Sequence, residues 1–346
     1  MRALRKTAHG LGHVDVLDIP EPLPGKNQVR IRVMCAGICG TDLHIFHGDF
    51  AKVRPPVTLG HELAGFIDAV GEGVIDWQID DRVTVESEVY ACGHCHMCSS
   101  GRTNLCAERL ALGYGKDGGF AEALVVRQSA LHRLPYQISY QEGALCEPLS
   151  VAVHAVYERS RVKPGDWVLI TGPGPIGLLV LQVVRAVQGR TIVTGTDQDS
   201  ERLSLAKKLG AEATLRVDSE EIGSYVEELT HGKGVASAFE CSGVSAGLAD
   251  CITYVQSGGE VIQVGLFGSS ISVNLDQVAM REISLKGAFV HTSATWEKAI
   301  SLIEEQKIDL KPLISGVFPI AQWREAFHRA EKGEGVKYLL YPEQNA

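Results

Sequence analysis

The chain has 346 residues, 45% hydrophobic and 22% charged, with a formal net charge of −9 at pH 7. That composition belongs to a globular, core-forming protein of about two domains, and the negative balance argues against nucleic acid or an anionic membrane surface as a partner. The longest apolar stretch, around residues 175–184, is too short to span a bilayer, and the basic start MRALRKTAHG has no apolar run behind it to make a signal peptide.

From the N-terminus, residues 29–34, 65–70, 82–85 and 121–126 read as short β segments. Turn signals such as Pro24-Gly25 and Gly71-Glu72-Gly73 cut them. They predict a mostly β lobe. Inside it the run ACGHCHMCSSGRTNLC carries Cys92, Cys95, Cys98 and Cys106, spaced Cys-x2-Cys-x2-Cys-x7-Cys. Four thiolates at that spacing surround one zinc ion tetrahedrally, which makes a closed and therefore structural site. His94 and His96 lie in the same run, but four thiols already fill a tetrahedron. The total of nine cysteines is odd. A secreted disulfide framework is then the poorer reading, and a reducing cytoplasm is the expected compartment.

The texture changes at Lys163-Pro164-Gly165-Asp166. Strands are predicted over 168–171, 191–196, 213–217, 235–240 and 260–264, with helices over 175–188, 201–209 and 246–255. This alternation predicts βαβ units and a parallel sheet. Ser200 is the expected N-cap of the second helix, which ends at Gly210 behind Lys207 and Lys208. A further strand is predicted over 284–289 and an amphipathic helix over 296–306.

Gly172-Pro173-Gly174-Pro175-Ile176-Gly177 is a Gly-x-Gly-x-x-Gly loop that follows a strand and opens a helix, the context a dinucleotide site requires. Gly172 allows the turn, Gly174 lets a pyrophosphate approach the backbone, and Gly177 is expected to let the helix pack on the sheet. The free N–H groups of the helix start attract the phosphates. Asp197 stands 20 residues beyond Gly177 (197 − 177) and is followed by Gln198 rather than a basic residue. A carboxylate there accepts bonds from the ribose hydroxyls and repels a 2′-phosphate, so NAD is expected rather than NADP; the alternative is an Asp that caps a turn. Arg202 either borders the adenosine or is a solvated helix charge. Val264 and Leu266, at the end of the strand over 260–264, complete the candidate cofactor residues.

Gly60-His61-Glu62-x2-Gly65-x5-Gly71-x2-Val74 is the densest local signal, and it resembles the zinc signature of the zinc-containing medium-chain dehydrogenase family. Further hallmarks are Cys39-Gly40-Thr41-Asp42-Leu43-His44, Gly118-Gly119-Phe120-Ala121-Glu122, the four-cysteine loop, and Glu147-Pro148-Leu149-Ser150-Val151-Ala152-Val153-His154. The resemblance therefore spans essentially the whole chain. The expected fold is α/β, with a β-rich GroES-like catalytic domain over 1–150 and 290–346 and a Rossmann doubly wound parallel-sheet domain over 151–289. The active site is expected in the cleft between them.

The resemblance implies that Cys39 and His61 bind a second, catalytic zinc, with Glu62 beside or intermittently on it. Cys146-Glu147-Pro148-Leu149-Ser150 resembles the polyol (sorbitol or iditol) branch, where a Glu replaces a cysteine ligand. Glu147 is then expected in the coordination sphere, directly or through water, with Cys146 as its competitor. On an extended backbone those adjacent side chains point opposite ways. A catalytic zinc keeps an open position, binds the substrate hydroxyl and lowers its pKa, so that a hydride passes to the nicotinamide. The resemblance implies that Thr41 lies near the reacting oxygen and that His44 carries the proton outward. A water held by Glu62 or Glu147 is the competing route. Asp42 either orients the His61 ring or makes a local turn bond.

The sequence departs from typical sorbitol enzymes at Ile45-Phe46-His47 and Val290-His291-Thr292, where a Tyr and an Arg-Tyr pair are missing. Phe46, His47 and His291 are candidate substrate contacts. The expected substrate is a polyol, sugar alcohol, sugar-alcohol phosphate or other secondary alcohol such as butanediol. The rivals are L-threonine 3-dehydrogenase-like chemistry and a non-catalytic zinc- or nucleotide-binding member. The strand over 284–289 reads as an exposed sheet edge, and a homo-oligomer is expected, a dimer or, as the resemblance favours, a tetramer.

Overall fold

A computed structural model describes residues 1–343. The chain folds as two compact units. The first takes Met1–Glu147, Thr292–Ile300 and the chain from Leu310 onward; the second takes Pro148–His291 and Ser301–Asp309. The sequence had assigned all of 290–346 to the first lobe. Residues 301–309 belong to the second because Gln182 clasps Asp309. Gln182 Nε2 donates to the Asp309 carbonyl at 3.1 Å, and its Oε1 accepts the Asp309 N–H at 2.7 Å.

The first unit is built on a seven-stranded sheet. Its order is Leu131–Arg133, Arg82–Val85, Glu62–Val70, Gln28–Gly37, Lys337–Tyr341 and Ile314–Pro319, with Ala123–Arg127 also paired to Gln28–Gly37. Gln28–Gly37 shows why it is central. Val29, Ile31 and Val33 alternate with less buried residues, as a strand with one core face must. They join Leu63, Ile67, Val83 and Val85 in one apolar cluster. Pairing of Leu339 with Gly37 carries the C-terminal strand to the head of the sheet, where Gly37 also pairs with Glu62.

Two helices that the sequence left irregular close this end. Gly40–His47 follows Cys39, and Trp323–Glu331 packs against it. The seam is aromatic: Phe46 lies 5.7 Å from Trp323 and 6.3 Å from Phe327, ring centre to ring centre, edge to face.

The second unit carries a six-stranded, wholly parallel sheet. Its order is Ala213–Arg216, Arg190–Gly195, Trp167–Thr171, Val235–Glu240, Val255–Gln263 and Ser284–Gly287. In sequence terms this is 3-2-1-4-5-6, the doubly wound arrangement. Val168, Leu169 and Ile170 are fully buried, as expected of a strand covered on both faces. The helix Pro175–Ala186 starts at Gly174 with Pro175 in its first turn, where a missing N–H costs nothing. The expected N-cap Ser200 is not the cap. The N-cap of the helix Ser200–Lys208 is Asp199; a 3₁₀ turn over Asp197–Asp199 precedes it and has its own capping box, the Asp199 carboxylate accepting from the Thr196 N–H at 3.0 Å. No helix among the described residues is long and apolar enough to cross a membrane.

Candidate active site

The end of Gln28–Gly37 and the start of Glu62–Val70 lie side by side, and this brings Cys39, His61 and Glu62 together. One donor atom from each lies within 4.8 Å of the other two. Cys39 is held by the Asp42 carboxylate, which accepts the Cys39 N–H at 2.9 Å and the Gly60 N–H at 3.2 Å. Asp42 is thus the turn-binding residue, fully buried, with both oxygens on backbone amides; it makes no hydrogen bond to His61 Nδ1.

This group gathers negative charge around a buried imidazole. Burial opposes a charge on His61, but Cys39, Asp42 and Glu147 outweigh it and hold the imidazole pKa well above its ordinary value. Burial and the nearby Glu147 push Glu62 upward despite Lys337. His61 Nδ1 and Glu62 Oε2 are both buried with no hydrogen-bond partner, which is costly unless something else takes them. A thiol, an imidazole and a carboxylate form a donor set suited to zinc, so these residues fit a catalytic ion.

Glu147 lies close enough to act on both His61 and Glu62, but it is outside the three-residue group. Its Oε1 accepts from Ser87 Oγ at 2.9 Å. The backbone here is the helix Cys146–Val153, not the extended chain assumed from sequence. Adjacent side chains still diverge, by about 100° in a helix. Cys146 turns into the core, where burial raises its thiol pKa to about 12.

Lys337 is the residue that sequence reasoning missed. Its Nζ donates to Glu62 Oε1 at 2.6 Å and to the Ile38 carbonyl at 2.9 Å, and both side chains are almost wholly buried. It opens an apolar strand 275 positions from Glu62, so no local spacing could have pointed to it.

Thr41 Oγ1 lies 3.8 Å from Cys39 Sγ. His44 is more than half exposed, and its Nδ1 donates to Asp49 at 3.1 Å. The candidate substrate residues have protein partners of their own. Phe46 belongs to the aromatic seam, and His47 Nε2 donates to Glu331 Oε1 at 2.5 Å. His291 is buried in the second unit beside His154.

Cys92, Cys95, Cys98 and Cys106 converge as their spacing predicts, each with its sulfur within 4.8 Å of the other three. None forms a disulfide. The Cys95 N–H donates to Cys92 Sγ at 3.4 Å, which curls the loop around a common centre. The fit to a tetrahedral zinc is direct. Exposed His94 and Glu108 also approach Cys92, but the four thiols are the complete set.

In the second unit Gly172 has φ +87°, and Gly174 has open space around its missing side chain. A Cβ on Gly177 would lie 2.0 Å from the Gly172 carbonyl oxygen. Gly177 therefore lets the first turn of the helix close on the loop that leaves the strand Trp167–Thr171, while the helix lies against that strand and Arg190–Gly195. Pro175 and Ile176 form the first turn of that helix. The Asp197 side chain is 57% exposed, 4.0 Å from Arg216 Nε. Arg202 pairs with Asp199 at 3.3 Å. The Val264 N–H donates to the Glu240 carbonyl, and Leu266 stands 79% exposed beyond the strand end.

Comparison with known proteins agrees with this geometry. Residues 25–136 match the alcohol dehydrogenase GroES-like domain, and residues 175–305 match the zinc-binding dehydrogenase family. A sorbitol dehydrogenase of Halalkalibacterium halodurans is 41% identical over 99% of both chains. A D-arabitol-phosphate dehydrogenase of Enterococcus avium is 34% identical over 98% of this chain and 97% of its own. The crystal structure of a putative zinc-binding dehydrogenase from Sinorhizobium meliloti bound to NADP superimposes with a TM-score of 0.90 at 30% identity, over 99% of each chain. The chain belongs to the zinc-containing medium-chain alcohol dehydrogenase family, as an oxidoreductase that works with zinc and a nicotinamide dinucleotide, with sorbitol and arabitol-phosphate dehydrogenases among its relatives.

Proposed function

We propose that this enzyme oxidises a secondary alcohol of a polyol, a sugar alcohol or a sugar-alcohol phosphate, with NAD as hydride acceptor. The observation that carries the reading is the convergence of half-buried Cys39 with buried His61 and Glu62, with His61 Nδ1 and Glu62 Oε2 unpartnered. The sorbitol and arabitol-phosphate relatives support the substrate class.

When bound, zinc supplies a Lewis acid for the substrate hydroxyl, and the dinucleotide accepts the hydride. Cys39 and His61 would hold the ion, with Glu62 the neighbouring carboxylate, whose Oε1 is fixed by Lys337. Glu147, fixed by Ser87, would be the further donor, directly or through water. Thr41, next to the Cys39 sulfur, orients the substrate hydroxyl. His44 donates through Nδ1 to Asp49, which leaves Nε2 to accept the departing proton and release it to solvent.

The test is NADH formation across polyols, sugar-alcohol phosphates, butanediol and L-threonine. Turnover on a polyol or its phosphate, well above that on threonine, is the expected result. Turnover on threonine with none on polyols contradicts the reading.

The exposed carboxylate of Asp197 supports NAD over NADP. Arg216 Nε lies 4.0 Å from Asp197 and 3.5 Å from Glu220, so loss of the Asp197 carboxylate removes a repulsion toward a 2′-phosphate and leaves a guanidinium, still paired with Glu220, nearby. Asp197→Ala is expected to raise KM for NAD roughly tenfold, the loss of about one charged hydrogen bond, and to improve use of NADP. Unchanged cofactor preference in steady-state kinetics contradicts that role.

A homo-oligomer, dimer or tetramer, is supported by the edge strand Ser284–Gly287, whose outer side pairs with no other strand among the described residues. Nine free cysteines support a reducing, cytoplasmic location.

A further inference from the structure

The strand order of the parallel sheet reverses between Trp167–Thr171 and Val235–Glu240, where Thr171 pairs with Glu240. Ligands of doubly wound sheets bind in the crevice beyond the carboxyl ends of strands at such a point. Glu240 stands there fully buried. Its Oε1 accepts from the Ser242 N–H at 2.8 Å, the Gly243 N–H at 2.9 Å and the Ser242 hydroxyl. Its Oε2 accepts from Gln263 Nε2 at 2.6 Å, and that same nitrogen donates to the Gly265 carbonyl at 2.8 Å. The Glu240 carbonyl accepts the N–H groups of Val264 and Gly265, each at 2.9 Å.

Glu240 thus ties two turns, 242–243 and 264–265, to the end of the strand Val235–Glu240. The turns are packed without slack. A Cβ on Gly265 would lie 2.5 Å from Glu240 Oε2, and one on Gly172 would lie 2.7 Å from Ser242 Cα. The 242–243 turn is therefore the wall against which the Gly172–Gly177 loop rests. Burying a carboxylate is expensive unless its oxygens are satisfied, and here every donor comes from the backbone or side chains that shape this wall.

We infer that Glu240, acting through Gln263, is a positioning residue for the dinucleotide: it fixes the turn that supports the phosphate loop and the turn that presents Leu266. The inference rests on the nucleotide reading of the Gly172–Gly177 loop. Glu240→Gln keeps the size and the three-donor oxygen but sets an N–H₂ group against the Gln263 N–H₂ group. If Gln263 flips to offer its unpartnered Oε1, it releases the Gly265 carbonyl.

The experiment is equilibrium binding of NADH to the zinc-loaded enzyme by fluorescence, with the melting temperature measured alongside. E240Q is expected to raise Kd for NADH about tenfold, as expected for loss of one charged hydrogen bond, with a melting temperature close to wild type. Gln263→Leu leaves the three bonds to Oε1 in place and serves if E240Q does not fold; it too is expected to weaken NADH. E240Q/Q263L is expected to be no weaker than the worse single variant, because the pair acts as a unit. If both single variants bind NADH as tightly as wild type while D197A does not, the positioning role is overturned and the nucleotide reading stands. If wild type does not bind NADH, the nucleotide reading itself fails and takes this inference with it.

Discussion

Cys39→Ser and His61→Ala each lower kcat by about 10³-fold or more, the scale of several kcal/mol that a Lewis acid contributes, while NADH binds with its wild-type Kd. The split follows from where the residues lie. Cys39 and His61 belong to the first unit, at the heads of two paired strands, and the dinucleotide loop belongs to the second. Removing either donor leaves the remaining members crowded and buried without their cation, because Glu62 and Glu147 still face one another's field. Steady-state kinetics and NADH titration on the same preparations check this. A variant that keeps most of its kcat removes these side chains from the chemistry.

Cys98→Ser acts on stability instead. Among residues 91–110 only Asn104 and Cys106 are buried, besides the flanking contacts of the short strand at Leu110, so the loop has almost no apolar core of its own. Its local order rests on N–H contacts to sulfur, on the short helix His96–Ser99 and on a 3₁₀ turn over Thr103–Leu105. In such a segment the free energy of metal binding is free energy of folding. A loss of several kcal/mol corresponds to a melting temperature lower by about 10 °C for a unit of this size. Calorimetry of wild type and variant measures it, and an unchanged transition shows that the loop needs no metal.

Much of this was legible because the chemistry is local in sequence. Four cysteines within one loop, or three glycines between a strand and a helix, carry their geometry in their spacing. The strand and helix order of the second unit was legible for a similar reason: buried parallel strands are continuous apolar runs, and the turns between them are short. The first unit was harder. Its return segment crosses back into a sheet begun some 300 residues earlier, so Lys337 reached Glu62 unannounced.

The helix Gly40–His47 was invisible as a helix because glycine, threonine and aspartate fill its first turn, and its order comes from Asp42 capping Cys39 and from the Phe46 seam. The same packing explains why Phe46 and His47, reasonable substrate contacts by position, turn toward Trp323 and Glu331. Asp42 could be read two ways from sequence, and burial with both oxygens on backbone amides decided between them.

The central claim is that two metal centres exist and that only one of them does chemistry. The most direct measurement is zinc content by elemental analysis of purified, active wild type beside His61→Ala, together with activity after chelation. The account predicts two zinc ions per chain in the wild type, one in the variant, and loss of turnover when the more labile ion is stripped. Active wild-type protein free of transition metal, with a rate that chelators leave untouched, contradicts it.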